Sequence, residues 1–169
     1  MSSKLSTVKA AHVVPEVVDG LSSGDPTSLE VLYGGKAVSD GEEIPPPQAK
    51  HAPEVHIKGQ GSDTKYSLLL TDPDAPDPEK PVNREWLHWL VVNIPPSGDL
   101  SKGEEVVPYM GPAPPIGVHR YVFSVFRQPG NVKVSKAPSR AKFSTRGFAA
   151  EHTLGDPAAV LFFRSRAPK

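Results

Sequence analysis

The stretch from Tyr66 to Trp89, YSLLLTDPDAPDPEKPVNREWLHW, sets carboxylates and an imidazole between two apolar segments. Asp72 and Asp74 follow the first apolar segment, while Trp86 and His88 begin the second. Side chains alternate along a strand, so the members of each pair are predicted to share a face. The stretch therefore predicts a small polar pocket at the end of a β-sheet.

A second histidine repeats this spacing further along the chain. His119 and Tyr121 are two residues apart in the apolar segment GVHRYVFSVF. Two proline-rich loops, 72–81 and 95–117, adjoin the predicted strand ends. Unstructured loops longer than about 12–15 residues are uncommon in compact domains and are often functional. We therefore expect these polar pairs to converge.

The composition narrows the class of protein. A chain of 169 residues suits one domain, here 1–169, and the absence of cysteine excludes disulfides and thiol chemistry. Lys and Arg together number 19, as do Asp and Glu, and nothing in this balance suggests direct binding to nucleic acid, which usually needs a basic face. The apolar runs are too short to span a bilayer, and no signal-peptide core is seen. We expect a protein of the cytoplasm and nucleus.

The distribution of proline and glycine favours a mainly β fold. The 20 prolines and 14 glycines lie between strongly apolar segments, as in β proteins with long ordered loops. A hairpin is predicted at Gly34-Gly35. The predicted strands are 16–18, 29–33, 54–57, 66–71, 87–94, 118–127 and 158–164.

One helix is predicted, in the segment FSTRGFAAEHTLGDP. Ser144 or Thr145 can cap its start, and Gly155 followed by Pro157 can end it. Gly147 in its interior weakens it.

The polar residues do not form a recognisable catalytic set. No GxSxG motif or nucleophile–base pair is present, so we predict no enzyme, no catalytic residue and no cofactor. An Asp/His/His metal site stays open as an alternative, although no HxxxH or CxxC spacing supports it. Asp72 and Asp74 could equally be turn residues, His88 a core histidine and Trp86 core packing. Trp86 and Trp89 differ in parity and are expected on opposite strand faces.

Several motifs taken together resemble one protein family. TDPDAP, REWLHW, a GP followed by GVHRYVF, and FRQ are similar to the phosphatidylethanolamine-binding protein (PEBP) family over 13–167. Within that family the chain looks most like the florigen-related plant branch and its MFT-like subgroup. The features that carry this are Trp86, EEVVPYMGPAPPIGVHRY, APSRAKFSTRGFA and a terminal proline, Pro168.

The resemblance implies a β-sandwich with a large central antiparallel sheet, a short C-terminal helix and long proline-rich loops. It also implies a pocket at one end that binds phosphate or a phosphorylated head group. Two cis peptide bonds, Ala75-Pro76 and Arg84-Glu85, are expected. The implied ligand-binding residues are Asp72, Asp74, His88, Gly111, Pro112, His119 and Tyr121, with Trp86 and Pro76 at the rim.

An anion needs hydrogen-bond donors and positive charge, which protonated His88 and His119 can supply. The Tyr121 hydroxyl and the Gly111 amide are further donors. Asp72 can act in two ways: it can hold a histidine positively charged, or it can itself stay protonated near the anion. We favour the first in the empty site.

The resemblance implies a non-enzymatic adaptor that acts with bZIP transcription factors in germination and hormone responses. Some relatives act through 14-3-3 proteins, but Asp63, Lys102 and Asn131 depart from the florigen pattern, and only Pro95 agrees. We therefore expect weak 14-3-3 binding. The alternatives are a binder of phospholipid head groups or small ligands, with peripheral membrane contact, and a kinase or protease inhibitor. We expect a monomer.

Overall fold

Two antiparallel sheets and a layer of short helices build the computed structural model, which describes residues 4–59 and 63–167. Pro168, part of the family resemblance, lies outside these ranges. The elements are α1 (Lys4–Ala10), α2 (Val13–Glu16), β1 (Ser28–Tyr33), β2 (Lys36–Ala37), β3 (Glu54–Lys58), β4 (Lys65–Asp72), β5 (Trp86–Ile94), β6 (Glu104–Val107), β7 (Val118–Gln128), α3 (Thr145–Glu151) and β8 (Ala159–Arg166).

The two sheets differ in size. The smaller has the order β2-β1-β3 and the larger the order β6-β5-β4-β7-β8, and all the strand pairs are antiparallel. The predicted mainly β sandwich with a large antiparallel sheet and a short C-terminal helix is confirmed. No helix within the described ranges has both the length and the apolar character needed to cross a bilayer.

Strand β4 lies at the centre of the large sheet and is buried on both faces, which is why its sequence is almost continuously apolar. Leu68 and Leu70 point into the core between the two sheets. Leu69 points the other way, into a second core beneath α1, α2 and α3. The large sheet is thus the middle of three layers.

Most of the predicted elements match the structure. The β1–β2 hairpin turns at Gly34 and Gly35, whose φ values of 59° and 80° suit glycine. The Ser144 hydroxyl caps α3 by accepting a hydrogen bond from the Gly147 amide at 2.9 Å. The Ala75-Pro76 and Arg84-Glu85 bonds are both cis, as expected from the resemblance.

Three local predictions are wrong. Residues 16–18, predicted as a strand, begin at the last residue of the helical turn α2, and Val17 and Val18 are buried against the large sheet. A short apolar run does not reveal whether it is buried by strand pairing or by packing on a sheet face. Helix α1 is a second, unpredicted helix. The loop 95–117 contains the edge strand β6, which was not predicted because its exposed glutamates are not typical of a strand.

The helical layer is fastened to the large sheet through Arg120 on β7. Its guanidinium donates to both carboxylate oxygens of Asp74, at 3.0 and 2.7 Å, to Glu16 at 2.6 Å and to the Ala11 carbonyl at 2.8 Å. Burial by itself would raise the pKa of Asp74, but the hydrogen bonds and charge of Arg120 hold it below its ordinary value. Asp74 is therefore an ionised structural anchor.

We expect Arg120→Met to lower the free energy of unfolding by about 3 kcal/mol, because the buried charge of Asp74 then keeps only the backbone N–H of residue 120, at 2.8 Å, and Arg84, at 3.6 Å, among its described partners. Urea denaturation measures this. The matched control is Arg166→Met, which removes a surface pair with Glu43 and should cost less than about 1 kcal/mol.

The effect should depend on pH. Because the folded pKa of Asp74 is lowered, its contribution to stability is present above about pH 4 and is lost as the pH falls through the folded pKa. The difference between the wild-type protein and Arg120→Met should therefore shrink in acid. Equal urea midpoints for the two proteins at neutral pH would contradict the anchor role.

Candidate functional site

A small cavity opens at the edge of the large sheet where β4 ends and where β5 and β7 begin. Antiparallel pairing brings these three points together, and Asp72 at the end of β4 pairs directly with Trp86 at the start of β5. The cavity has a volume of about 190 Å³. Its lining residues are Asp72, Ala75, Pro76, Asn83, Trp86, His88, Met110, Ala113, Pro115, His119 and Tyr121.

Asp72 and His119 form a buried pair in the cavity wall. The Nδ1 atom of His119 lies 2.7 Å from Oδ2 of Asp72, and its Nε2 atom lies 2.8 Å from the Ile116 carbonyl oxygen. Both neighbours are acceptors, so both are satisfied only when the ring carries two N–H groups. Burial by itself lowers the pKa of His119, but the hydrogen bond and charge of Asp72 outweigh it and raise the pKa. His119 is therefore held as an imidazolium.

This arrangement differs in one respect from the expectation drawn from the sequence. We expected His119 to donate a hydrogen bond to a ligand, yet both of its ring N–H groups already meet protein acceptors. Its side chain is fully buried. In this geometry His119 contributes positive charge and rigidity to the wall rather than a free donor.

His88 is held in a different protonation state. Its Nδ1 atom donates to the Met110 carbonyl at 2.6 Å, and its ring meets the edge of the Tyr121 ring at a centroid distance of 5.2 Å. Burial lowers the pKa of His88 despite the nearby Asp72 carboxylate. The ring is therefore neutral near neutral pH, and its Nε2 atom carries a lone pair that can accept a proton or a hydrogen bond.

Two polar atoms of the cavity residues are buried without a partner among the described residues. They are the indole N–H of Trp86 and the hydroxyl of Tyr121. The hydroxyl lies close enough to the Asp72 carboxylate for a hydrogen bond between them to contribute to its pKa, although the contact falls short of a well-formed hydrogen bond. Burial, reinforced by the Asp72 charge, raises the pKa of Tyr121, so the hydroxyl keeps its proton. Each group is a donor that makes no well-formed hydrogen bond to the described residues.

Three of the implied ligand residues lie elsewhere. Asp74 does not line the cavity, because it faces Arg120 in the anchor to the helical layer. Gly111 and Pro112 line a separate surface depression beside Pro46, Pro47 and Lys50. A Cβ atom on Gly111 would lie 2.8 Å from the Ala49 carbonyl, so close packing between loops explains this glycine.

Other residues line the cavity that were not predicted from the sequence. Asn83, Met110, Ala113 and Pro115 line the cavity but were not singled out. Met110 adjoins the implied Gly111, and its backbone pairs with His88 through the Met110 N–H and the His88 carbonyl at 2.9 Å. The sequence would have suggested this pairing only if the hydrogen-bond pattern of β5 had been extended to the loop 95–117.

The two tryptophans do not lie on opposite faces of β5 as their parity predicted. A β-bulge separates the pair Thr71–Leu87 from the pair Leu70–Trp89 and places His88 between them. The extra residue cancels the alternation. Trp89 consequently packs in the core between the sheets, the same core that holds Tyr121 at the cavity.

The described part of the chain holds no group of three or more His, Asp or Glu side chains that could bind a metal ion. His88 and His119 both use Nδ1 for protein contacts, with Met110 and Asp72 respectively. The arrangement therefore offers donors and a buried cation rather than a ligand set for a metal.

Comparison with known proteins gives consistent matches. A family model described as "Phosphatidylethanolamine-binding protein" matches residues 34–163. The chain is 44% identical to "Protein MOTHER of FT and TFL1 homolog 2" of Oryza sativa subsp. japonica, over 92% of this chain and 89% of that protein. It is 39% identical to "Protein FLOWERING LOCUS T" of Arabidopsis thaliana, over 90% of this chain and 86% of that protein.

The fold is matched by solved structures as well. A carboxypeptidase Y inhibitor, solved in complex with its cognate proteinase, superposes with a TM-score of 0.84 over 97% of this chain and 95% of that chain. At 24% identity this likeness concerns the fold alone. The similarity to the rice and Arabidopsis proteins identifies this chain as a non-enzymatic regulator of plant development. The chain belongs to the phosphatidylethanolamine-binding protein family, and within it to the florigen-related plant branch that includes the MFT-like proteins.

Proposed function

We propose that this regulator is an adaptor whose cavity binds phosphate or a phosphorylated head group, and that it acts with bZIP transcription factors in germination and hormone responses. The observation that carries the ligand is the pair of buried donors, the Trp86 indole N–H and the Tyr121 hydroxyl, which make no well-formed hydrogen bond to the described residues. An unsatisfied buried donor costs about 1–3 kcal/mol, and an anion oxygen would remove that cost.

The size of the cavity limits what can enter. At about 190 Å³ it is smaller than the roughly 300–1,000 Å³ typical of sites for drug-sized ligands. A phosphate group fits this scale, and the remainder of a larger molecule would extend out of the mouth. Pro76 and Trp86 lie among the lining residues and are proposed to form the rim.

The charges of the cavity favour an anion only under certain conditions. The charges of Asp72 and His119 offset each other, and His88 is neutral near neutral pH. Protonation of His88 would add a net positive charge and a third donor. Anion binding should therefore strengthen as the pH falls toward the lowered pKa of His88.

One observation favours a second candidate function, binding of a phospholipid head group at a membrane surface. The large apolar side chains exposed in the described ranges, Val82, Met110 and Ile116, all lie at or next to cavity residues. Met110 is in the wall, Val82 precedes Asn83, and Ile116 follows Pro115. An apolar rim around a polar cavity would suit a head group with its acyl chains. The contacts of the described residues do not favour a function as a kinase or protease inhibitor.

The proposed partners and compartment follow the plant branch. We propose that the protein works in the cytoplasm and nucleus as a monomer, joins bZIP factors and binds 14-3-3 proteins weakly. At three positions this chain departs from the florigen pattern. The residues there are all exposed and are available to contact a partner: Asp63, Lys102 and Asn131. An acidic Asp63 opposes the binding of an acidic partner surface.

We expect Trp86→Phe and Tyr121→Phe each to weaken binding of inorganic phosphate by about tenfold, because each removes one donor and leaves the ring in place. Isothermal titration calorimetry measures the affinity. Tyr33→Phe is the matched control, since the Tyr33 hydroxyl bonds to Tyr109 outside the cavity, and it should bind phosphate as the wild type does.

The same titration carried out from mildly acidic to alkaline pH should show affinity falling as the pH rises, with His88→Ala removing most of that dependence. Affinity that does not change with pH, or that survives both ring variants, would refute the anion site. If germination responses to abscisic acid survive a variant that no longer binds phosphate, the cavity is not the working part of the adaptor.

The prediction for 14-3-3 concerns a different surface. In a pull-down with purified 14-3-3 protein we expect little retention of the wild-type chain and clearly more of Asp63→Arg/Asn131→Arg, since both changes add positive charge. Tight retention of the wild type that is lost in Pro95→Ala would show that the florigen mode is kept.

A further inference from the structure

The charges of this chain are distributed unevenly along the sequence. Asp and Glu equal Lys and Arg in number overall, yet residues 106–150 contain no acidic residue. The basic residues in this stretch are Arg120, Arg127, Lys133, Lys136, Arg140, Lys142 and Arg146. Their charges can be balanced only by carboxylates from other parts of the chain or by a partner.

Three of these cations are balanced within the fold. Arg120 pairs with Asp74 and Glu16, Arg127 lies 2.9 Å from Asp25, and Arg146 lies 3.0 Å from Asp19. Each balancing carboxylate comes from residues 16–74. Ion pairs within the fold therefore neutralise these three members of the basic stretch.

The other four cations are not balanced. Lys133, Lys136, Arg140 and Lys142 lie within ten residues, and no carboxylate of the described chain lies within ion-pair distance of them. The guanidinium of Arg140 donates to backbone carbonyls, including that of Leu87 at 2.9 Å, which leaves its charge in place. The three lysines are exposed.

These lysines border a groove of about 520 Å³ between the segment 133–142 and helix α3. Its floor includes Phe143 and Phe148, which are packed against each other at a centroid distance of 6.1 Å. Gly147 contributes no side chain to the α3 wall. Glu151 is the single carboxylate among the lining residues, and its side chain is 75% exposed.

We propose that this groove is a docking surface for an acidic peptide segment of a partner protein, with an apolar side chain of the peptide resting on Phe143 and Phe148. Uncompensated lysines around a hollow complement carboxylates of the peptide. A central apolar contact inside a charged rim is the usual anatomy of a protein interface. The groove shares no lining residue with the cavity, so this proposal does not depend on phosphate binding.

Two other anionic partners fit the groove less well. A nucleic-acid backbone would meet the lysines but has no apolar group to lie between them on the phenyl rings. A bilayer surface is broad, whereas the apolar floor here lies inside a concave groove. Both are retained as outcomes of the test.

The probe is a fluorescein-labelled peptide made of repeated Glu-Glu-Leu units, followed by fluorescence polarisation. We expect saturable binding by the wild type and binding at least about tenfold weaker by Lys133→Glu/Lys136→Glu. Lys142 is left unchanged because its φ of 60° makes the site sensitive to substitution. Lys58→Glu/Lys80→Glu reverses two exposed lysines elsewhere and should bind as the wild type does.

A peptide of Glu-Glu-Gly units tests the floor and should bind several-fold more weakly than the Glu-Glu-Leu peptide. Unchanged urea midpoints and phosphate affinity in the double variant would show that its fold and cavity are intact. Absence of saturable binding, or equal binding by the two double variants, would overturn the proposal. Tighter binding of duplex DNA or phosphatidylserine vesicles through Lys133 and Lys136 would also overturn it and assign the surface to that partner.

Discussion

The carboxylate of Asp72 and the imidazolium of His119 form the ion pair around which the site is arranged. The pair ties the last residue of β4 to the second residue of β7, and both side chains are almost wholly removed from solvent. A lone charge at that depth would be strongly unfavourable, so neither group can be ionised there without the other. The Ile116 carbonyl accepts a hydrogen bond from the second ring N–H of His119. This contact fixes the end of the loop that closes the cavity.

Adjacent residues on β7 carry the two tasks of this region. His119 turns toward the cavity, whereas Arg120 turns to the helical layer and holds Asp74 and Glu16. Alternation along a strand makes this division possible, because neighbours point to opposite faces. The short sequence Asp72-Pro73-Asp74 supplies one carboxylate to each partner. The cavity wall and the anchor of the N-terminal helices thus share one pair of strands.

The sequence predicted most of the strands and the meeting of Asp72, His88, His119 and Tyr121, because period-two spacing and the ends of antiparallel strands can be read from local sequence. Asp74 was misplaced because the alternation rule ends with β4 at Asp72. Trp89 was misplaced because a bulge inserts one residue, and no residue type marks it. Gly111 and Met110 depend on how a long loop packs against Ala49 and His88, which spacing cannot specify.

The arrangement of the site depends on the protonation state of His119, which ¹⁵N NMR of histidine-labelled protein observes. We expect two protonated ring nitrogens on His119 at neutral pH, with a pKa above the ordinary value of about 6.5, and a neutral His88 that carries its proton on Nδ1. Asp72→Asn should remove the excess pKa of His119. A neutral His119 ring at neutral pH, with Asp72 intact, would contradict the account.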